Sequence, residues 1–184
     1  MKGTDGGVIL LCGIPGSGKT ESGIILAAIL RVRFYDLDEI IAEKSGKSIG
    51  DIFARDGESG FRDLEAALLS ELLAEGSAKV IALGGGTLES EKAREIICEK
   101  PVALIWLKAD ASAAAKRLET KGIVDDHPLL YGLRGATLAD ALRGLINTRS
   151  IYFALSDFAV DTERFTPSEV AELIAAAFTA EDYD

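Results

Sequence analysis

The stretch Gly13-Ile14-Pro15-Gly16-Ser17-Gly18-Lys19-Thr20 satisfies the pattern G-x-x-x-x-G-K-[ST] at every fixed position. Small residues let successive main-chain N–H groups curl around an anion. The start of the following helix adds its positive dipole end, and Lys19 supplies a full charge. This is the chemistry of gripping phosphate, so a bound nucleoside triphosphate is expected. Gly13, Pro15, Gly16, Ser17, Gly18, Lys19 and Thr20 are the expected nucleotide-binding residues, with the Thr20 hydroxyl suited to hold Mg²⁺. A glycine turn with an incidental lysine is the plain alternative. The flanks argue against it, because residues 8–11 read as a strand leading in and residues 24–30 as a helix leading out.

Other groups have chemistry in reach. Asp36 and Asp38 close the strand-like stretch 33–38. Ligands of an open parallel sheet gather at the carboxyl ends of its strands, which puts both carboxylates beside the phosphate loop. One can enter a Mg²⁺ shell, and the other can accept a hydrogen bond from a substrate hydroxyl and favour its deprotonation. Capping of the next helix by Asp38 is the competing use. Gly84-Gly85-Gly86 follows the buried-type strand 79–83 and offers main-chain donors with no side chains in the way of a polar ligand. Arg62 has Glu58 four residues before it and Glu65 three after. Spacing alone favours a surface ion-pair ladder there, and the sharper reading is a guanidinium held rigid to grip a carboxylate. Arg149 falls on the apolar stripe of Leu138, Leu142, Leu145, Ile146 and Phe153, where a cation needs an anion or a ligand pocket to face.

The elements that must position these groups alternate. Strand-like segments at 8–11, 33–38, 79–83, 102–107 and 158–161 are separated by helical patterns, which indicates βαβ units. Helices are expected at 48–57 and 58–74, at 90–98, and at 111–118, the last carrying Lys116 and Arg117. Thr137 with Asp140 reads as one helix start, and Thr166-Pro167-Ser168-Glu169 as a capping box opening the last helix. After Leu118 the pattern dissolves into a polar loop, whose length suits a lid that excludes water.

At 184 residues and 48% hydrophobic content, the chain has the length of one domain with a sizeable core. A formal net charge of −10 argues against a nucleic-acid or anionic-membrane surface, so an anionic substrate has to be drawn in by locally placed cations. Cys12 and Cys98 are the only cysteines, which suggests reduced thiols and a cytoplasmic setting. No apolar run reaches membrane-spanning length, and the first seven residues lack the core of a secretory leader.

Taken together, the phosphate loop, Asp36-Leu37-Asp38, Gly57-Glu58-Ser59-Gly60-Phe61-Arg62-Asp63-Leu64-Glu65 and Gly84-Gly85-Gly86, in this order, resemble the shikimate kinase family over nearly the whole chain. The third of these is the most specific. The resemblance implies a three-layer α/β/α fold of P-loop kinase type, with a five-stranded parallel sheet and helices on both faces. It implies transfer of the ATP γ-phosphoryl group to the 3-hydroxyl of shikimate, with Mg²⁺ as cofactor and ATP as co-substrate. By that likeness Thr20 and Asp36 serve the metal, Arg117 lies against the adenine, and Lys19, Asp38 and His127 are catalytic. Asp38, Arg62, Gly84, Gly85, Gly86 and Arg149 meet the substrate. A single domain spanning 1–184 is expected, with a mobile lid near 119–135 and a substrate-binding helical segment near 38–75. The expected state is a monomer whose partners are ATP and a small hydroxy acid, with no nucleic acid and no membrane.

The chain departs from the family pattern in the lid, where His127 precedes Pro128-Leu129-Leu130 in place of arginine. A neutral imidazole is the weaker group for phosphate as charge shifts in transfer. Asp125 and Asp126 should favour its protonation against an ordinary value of about 6.5. Arg134 can swing in instead, or activity is lost. Arg149-Ser150-Ile151-Tyr152 is also one residue shorter than the family's Arg-x-Pro-x-Tyr. The other readings are a related P-loop kinase for another hydroxy acid such as gluconate, and a shikimate-binding protein with a decayed lid and little activity.

Overall fold

Alternation along the strands sorts the core into two layers, one on each face of a sheet. The computed structural model of the chain describes residues 7–179, so residues 1–6 of the leader reading lie outside it. The elements are β1 (Val8–Cys12), α1 (Lys19–Leu30), β2 (Arg33–Asp36), α2 (Leu37–Ser45), α3 (Ile49–Ala74), β3 (Lys79–Ala82) and α4 (Glu91–Cys98). They continue with β4 (Val102–Lys108), α5 (Ala111–Lys121), α6 (Gly135–Phe153), β5 (Phe158–Asp161) and α7 (Pro167–Thr179). Leu10, Cys12, Ile81 and Leu104 face the layer that contains the buried residues of α2 to α6. Ile9, Leu11, Val80, Ala103 and Ile105 face the layer covered by α1 and α7. A strand buried on both faces reads as a near-continuous apolar run, which is how these strands look in sequence.

The strands form one parallel five-stranded sheet in the order β2-β3-β1-β4-β5. The fold is the three-layer α/β/α arrangement expected. Because β1 is flanked by β3 and β4, the chain leaves it in one direction and later returns on the other side, and a crevice opens at its carboxyl end. The phosphate loop occupies that end. Among the described residues, no helix is long and apolar enough to cross a membrane.

Several element ends differ from the sequence reading. β2 stops at Asp36, whose side chain accepts from the Asp38 main-chain N–H at 3.2 Å. Asp36, not Asp38, is therefore the helix cap, and Asp38 sits in the first turn of α2. Helix α6 opens at Gly135, two residues before Thr137, which instead hydrogen-bonds back to Arg134 from the third helical position. Asp140 pairs with Arg143 and caps nothing. Helix α5 runs on to Lys121, and the segment after it contains two short 3-10 turns, Val124–Asp126 and Pro128–Leu130. The break read between 48–57 and 58–74 falls inside α3, where Gly57 takes φ 69° and ψ −179°. That combination is open essentially to glycine alone, and it bends the helix so that Ile49 and Phe53 face the cleft. The ring of Phe53 meets that of Phe61 across the bend at 4.7 Å.

Lys79, at the start of β3, is 0% exposed and its ammonium donates to the carbonyls of Leu72 (2.7 Å) and Glu75 (3.1 Å). It closes the C-terminal end of α3, where helix carbonyls lack partners of their own. Lys79→Met keeps the apolar stem and removes these donors. The expected loss is about 2 kcal/mol, read as a melting temperature lower by about 5 °C in thermal denaturation.

Candidate functional site

The carboxyl ends of β1, β2 and β3 open into one cleft of about 470 Å³. Pro15, Gly16, Gly18, Lys19 and Thr20 of the phosphate loop line it, together with Asp36, Asp38, Arg62, Gly84, Gly85, Gly86, Arg117, His127 and Arg149. Of the residues expected from sequence, Gly13 and Ser17 lie behind the loop and do not line the cleft. Ser17 is 0% exposed. Gly13 has φ 146°, and a Cβ there would stand 2.6 Å from the Leu107 carbonyl and 2.7 Å from Ser17 Oγ. These two residues let the loop lie close against β4 and fold tightly.

At the phosphate end, the Lys19 ammonium donates to the carbonyls of Gly13 (2.8 Å) and Ile14 (3.1 Å). Burial pushes its pKa down, while Asp36 and Asp38 oppose that shift. Thr20 Oγ1 donates to Asp36 Oδ2 at 2.7 Å. A hydroxyl and a carboxylate side by side are hard oxygen donors, the kind Mg²⁺ takes while keeping waters and phosphate oxygens in its remaining positions. Arg117 ties the loop to the end of β5, donating to Gly16 O (3.3 Å), Thr162 Oγ1 (3.0 Å) and Thr162 O (2.7 Å).

At the other end the side chains are more crowded than the sequence indicated. Arg62 is paired with the fully buried Glu65, with Glu58 at 3.1 Å and with Glu89 at 3.8 Å. Its Nε is buried without a partner. Glu65 is fixed from its other side by the Thr87 hydroxyl, which donates to it at 2.6 Å. Arg149 is 3% exposed and donates through Nε (3.0 Å) and Nη2 (2.9 Å) to Glu89 Oε2. The shortened motif after Arg149 does not keep its guanidinium out of the cleft. Spacing suggested a surface ladder for Arg62, and the buried Glu65 rules that out.

The three glycines have a reason the sequence did not show. A Cβ on Gly84 would land on the Glu65 carboxylate and stand 2.9 Å from Asp38 Oδ1. One on Gly85 would press Pro15 at 3.0 Å, and one on Gly86 would land on Arg62 and Glu89. The clearance at Gly84 and Gly86 is filled by the site's own charged side chains, and that at Gly85 by the phosphate-loop proline. Glu89 and Thr87 were missed in the sequence, since the 3-10 turn that brings them back over the glycines carries no periodic signal.

Asp38 lies between the two ends. Burial, then the nearby carboxylates of Glu65 and Asp36, raise its pKa to about 7, against the pull of Lys19 and Arg62. A carboxyl poised there can take a proton from a hydroxyl near neutral pH.

The segment between α5 and α6, expected to be a lid, differs from expectation in its electrostatics. Burial lowers the pKa of His127, Lys19 lowers it further, and Asp126 only partly opposes them. The two neighbouring aspartates do not produce an imidazolium. Asp125 is engaged elsewhere, accepting from both arms of Arg134 at 3.2 and 2.6 Å. Arg134 is thereby held at the exposed surface and is not part of the cleft lining.

The family model described as shikimate kinase matches residues 15–179. A shikimate kinase of Thermobifida fusca is 39% identical over 171 residues, covering 93% of this chain and 94% of the relative. Among solved structures, a shikimate kinase from Acinetobacter baumannii in complex with shikimate superposes with a TM-score of 0.86 at 26% identity, covering 98% of this chain and 97% of that one. A gluconokinase from Sinorhizobium meliloti reaches a TM-score of 0.59 at 18% identity, covering 98% of this chain and 97% of that one, a likeness of fold alone.

The raised pKa of Asp38 has a consequence for stability in the nucleotide-free, metal-free protein. Between the unfolded value of 3.8 and the folded value of about 7, the folded state holds the proton more tightly. The group's contribution to stability is full below the unfolded value and is lost as pH rises through about 7. Asp38→Asn stays neutral, so at pH 8 it should be more stable than the parent by about 2–4 kcal/mol, with the gap closing toward pH 4. Thermal melts across this range check the sign.

Proposed function

The chain belongs to the shikimate kinase family, and from that membership we propose that it transfers the γ-phosphoryl group of ATP to the 3-hydroxyl of shikimate. One observation carries the assignment of roles. A phosphate loop with an adjacent hydroxyl and carboxylate, a carboxyl poised near neutrality, and two guanidiniums, one buried and one half-buried, share a single cleft in that order.

In this reading the main-chain N–H groups of the loop and the Lys19 ammonium hold the β- and γ-phosphates, and Arg117 flanks the nucleotide base. Thr20 and Asp36 are the residues that would hold Mg²⁺, which when bound neutralises charge on the phosphate oxygens. Arg62 and Arg149 grip the substrate carboxylate at the far end, which turns the hydroxyl toward Asp38. Asp38 accepts the hydroxyl proton as the hydroxyl oxygen bonds to the γ-phosphorus and the bond from that phosphorus to the bridging oxygen breaks, releasing ADP. His127 covers the phosphates from the lid as a neutral N–H donor, a weaker partner for developing charge than a guanidinium. The segment 119–135 serves as the lid, and 38–75 carries the substrate-facing helices. The chain works as a soluble monomer in the cytoplasm, on small molecules and not on nucleic acid or membranes.

The test is ADP release, coupled to a spectroscopic readout, against shikimate and gluconate in turn. Turnover with shikimate alone is expected, and turnover with gluconate alone, or with neither, refutes the reading. Arg149→Ala should raise KM for shikimate by about 30-fold or more, since a buried charge contact is lost. His127→Ala should lower kcat by about tenfold, and His127→Arg should raise it above the parent by about tenfold, as measured by steady-state kinetics.

A further inference from the structure

Two guanidiniums in the cleft already meet three carboxylates: Arg62 faces Glu58, Glu65 and Glu89, and Arg149 faces Glu89. Among these Glu89 forms ion pairs with both cations, while Glu65 pairs with Arg62 and feels the charge of Arg149 from farther off. Glu65 is immobile, with a 0% exposed side chain held by Thr87 on one side and Arg62 on the other. Glu58 lies at the rim, 52% exposed, and touches Arg62 alone. Glu89 is different. It hangs from the tight turn after the glycines, where its N–H donates to Gly86 O (2.9 Å) and its carbonyl accepts from Arg94 (2.9 Å). Its backbone is fixed while its side chain, 32% exposed, reaches Arg149 and Arg62 through the same oxygen, Oε2. Gly86 makes this approach possible, because any Cβ there would collide with both Arg62 and Glu89.

We infer that Glu89 is an internal counter-carboxylate that competes with the carboxylate of the substrate for Arg149 and Arg62, and so sets both affinity and preference for anionic ligands. The inference rests on the reading in which these two arginines receive the substrate carboxylate. Without a ligand, Glu89 neutralises the buried Arg149 and adds to the carboxylates around the half-buried Arg62. When a carboxylate ligand enters, like charges meet over the same guanidiniums, and Glu89 has to swing toward the exposed side of its turn or share the site at an electrostatic cost. A neutral ligand of the same shape meets no such competition.

The experiment is calorimetric titration of shikimate, and separately of its uncharged methyl ester, into the parent protein, E89Q and E89A. Glutamine keeps the length of the side chain and an oxygen that accepts from Arg149, and it removes only the charge. E89Q is expected to bind shikimate about tenfold more tightly than the parent, with affinity for the ester unchanged. E89A supplies a second measurement if E89Q folds poorly, and should show the same selectivity for the charged ligand. Equal or weaker shikimate binding in both variants overturns the inference and makes Glu89 a buttress for Arg149. Equal tightening for acid and ester overturns it too, since charge is then not the cause. If the parent neither binds shikimate nor releases ADP in its presence, the functional reading itself fails. If the parent binds it and the variants do not gain, only the role of Glu89 falls.

Discussion

Charge withdrawn from water has to be neutralised by other charge, and at the carboxyl end of this sheet that requirement organises everything nearby. Lys19, Arg62 and Arg149 are drawn into one cleft with Asp36 and Asp38, and Glu65 and Glu89 pair with the two arginines beside it. No member can be read by itself. Glu65 fixes Arg62 and at the same time raises the pKa of Asp38. Asp36 holds the Thr20 hydroxyl, caps α2 through the Asp38 N–H, and pushes on the Asp38 carboxyl. The backbone yields to these side chains: glycines stand at 84 and 86, just after β3, because no side chain fits where the charged groups converge.

The sheet supplies the frame in which such a cluster can persist. Five parallel strands buried on both faces form a stiff platform, and the switch at β1 leaves a crevice without any element having to be carved away. The bend of α3 at Gly57 lets the first part of that helix lean over the cleft, and the second part presents Arg62 and Glu65 one turn apart. Rigid elements set the acid and the guanidiniums, while the less regular segment between α5 and α6 carries His127. This division of labour matches a reaction in which positioning and electrostatics do most of the catalytic work.

The segment between α5 and α6 carries His127 where the family resemblance leads to an expectation of arginine. A histidine beside aspartates looks, on paper, like an imidazolium. In the folded protein it is half buried near Lys19, and both effects favour the neutral ring. Arg134, the other available cation, is occupied by Asp125 on the outside.

While the three-layer arrangement came from the family likeness, the sequence alone determined the phosphate loop, the βαβ alternation and the break in α3. These follow from local rules: glycine where main chain must curl, apolar runs where a strand is buried twice, a residue free to take positive φ where a helix turns. Family likeness, and not spacing, gave Arg62 its place in the site. Tertiary structure alone decided how the charges pair. It showed that Asp36 and not Asp38 caps α2, that Glu89 spans two arginines 27 and 60 positions away in the chain, and that burial and Lys19 push the pKa of His127 down. Burial and through-space charge depend on which residues meet after folding, and no pattern along the chain encodes the distance between Arg149 and a turn at the end of β3.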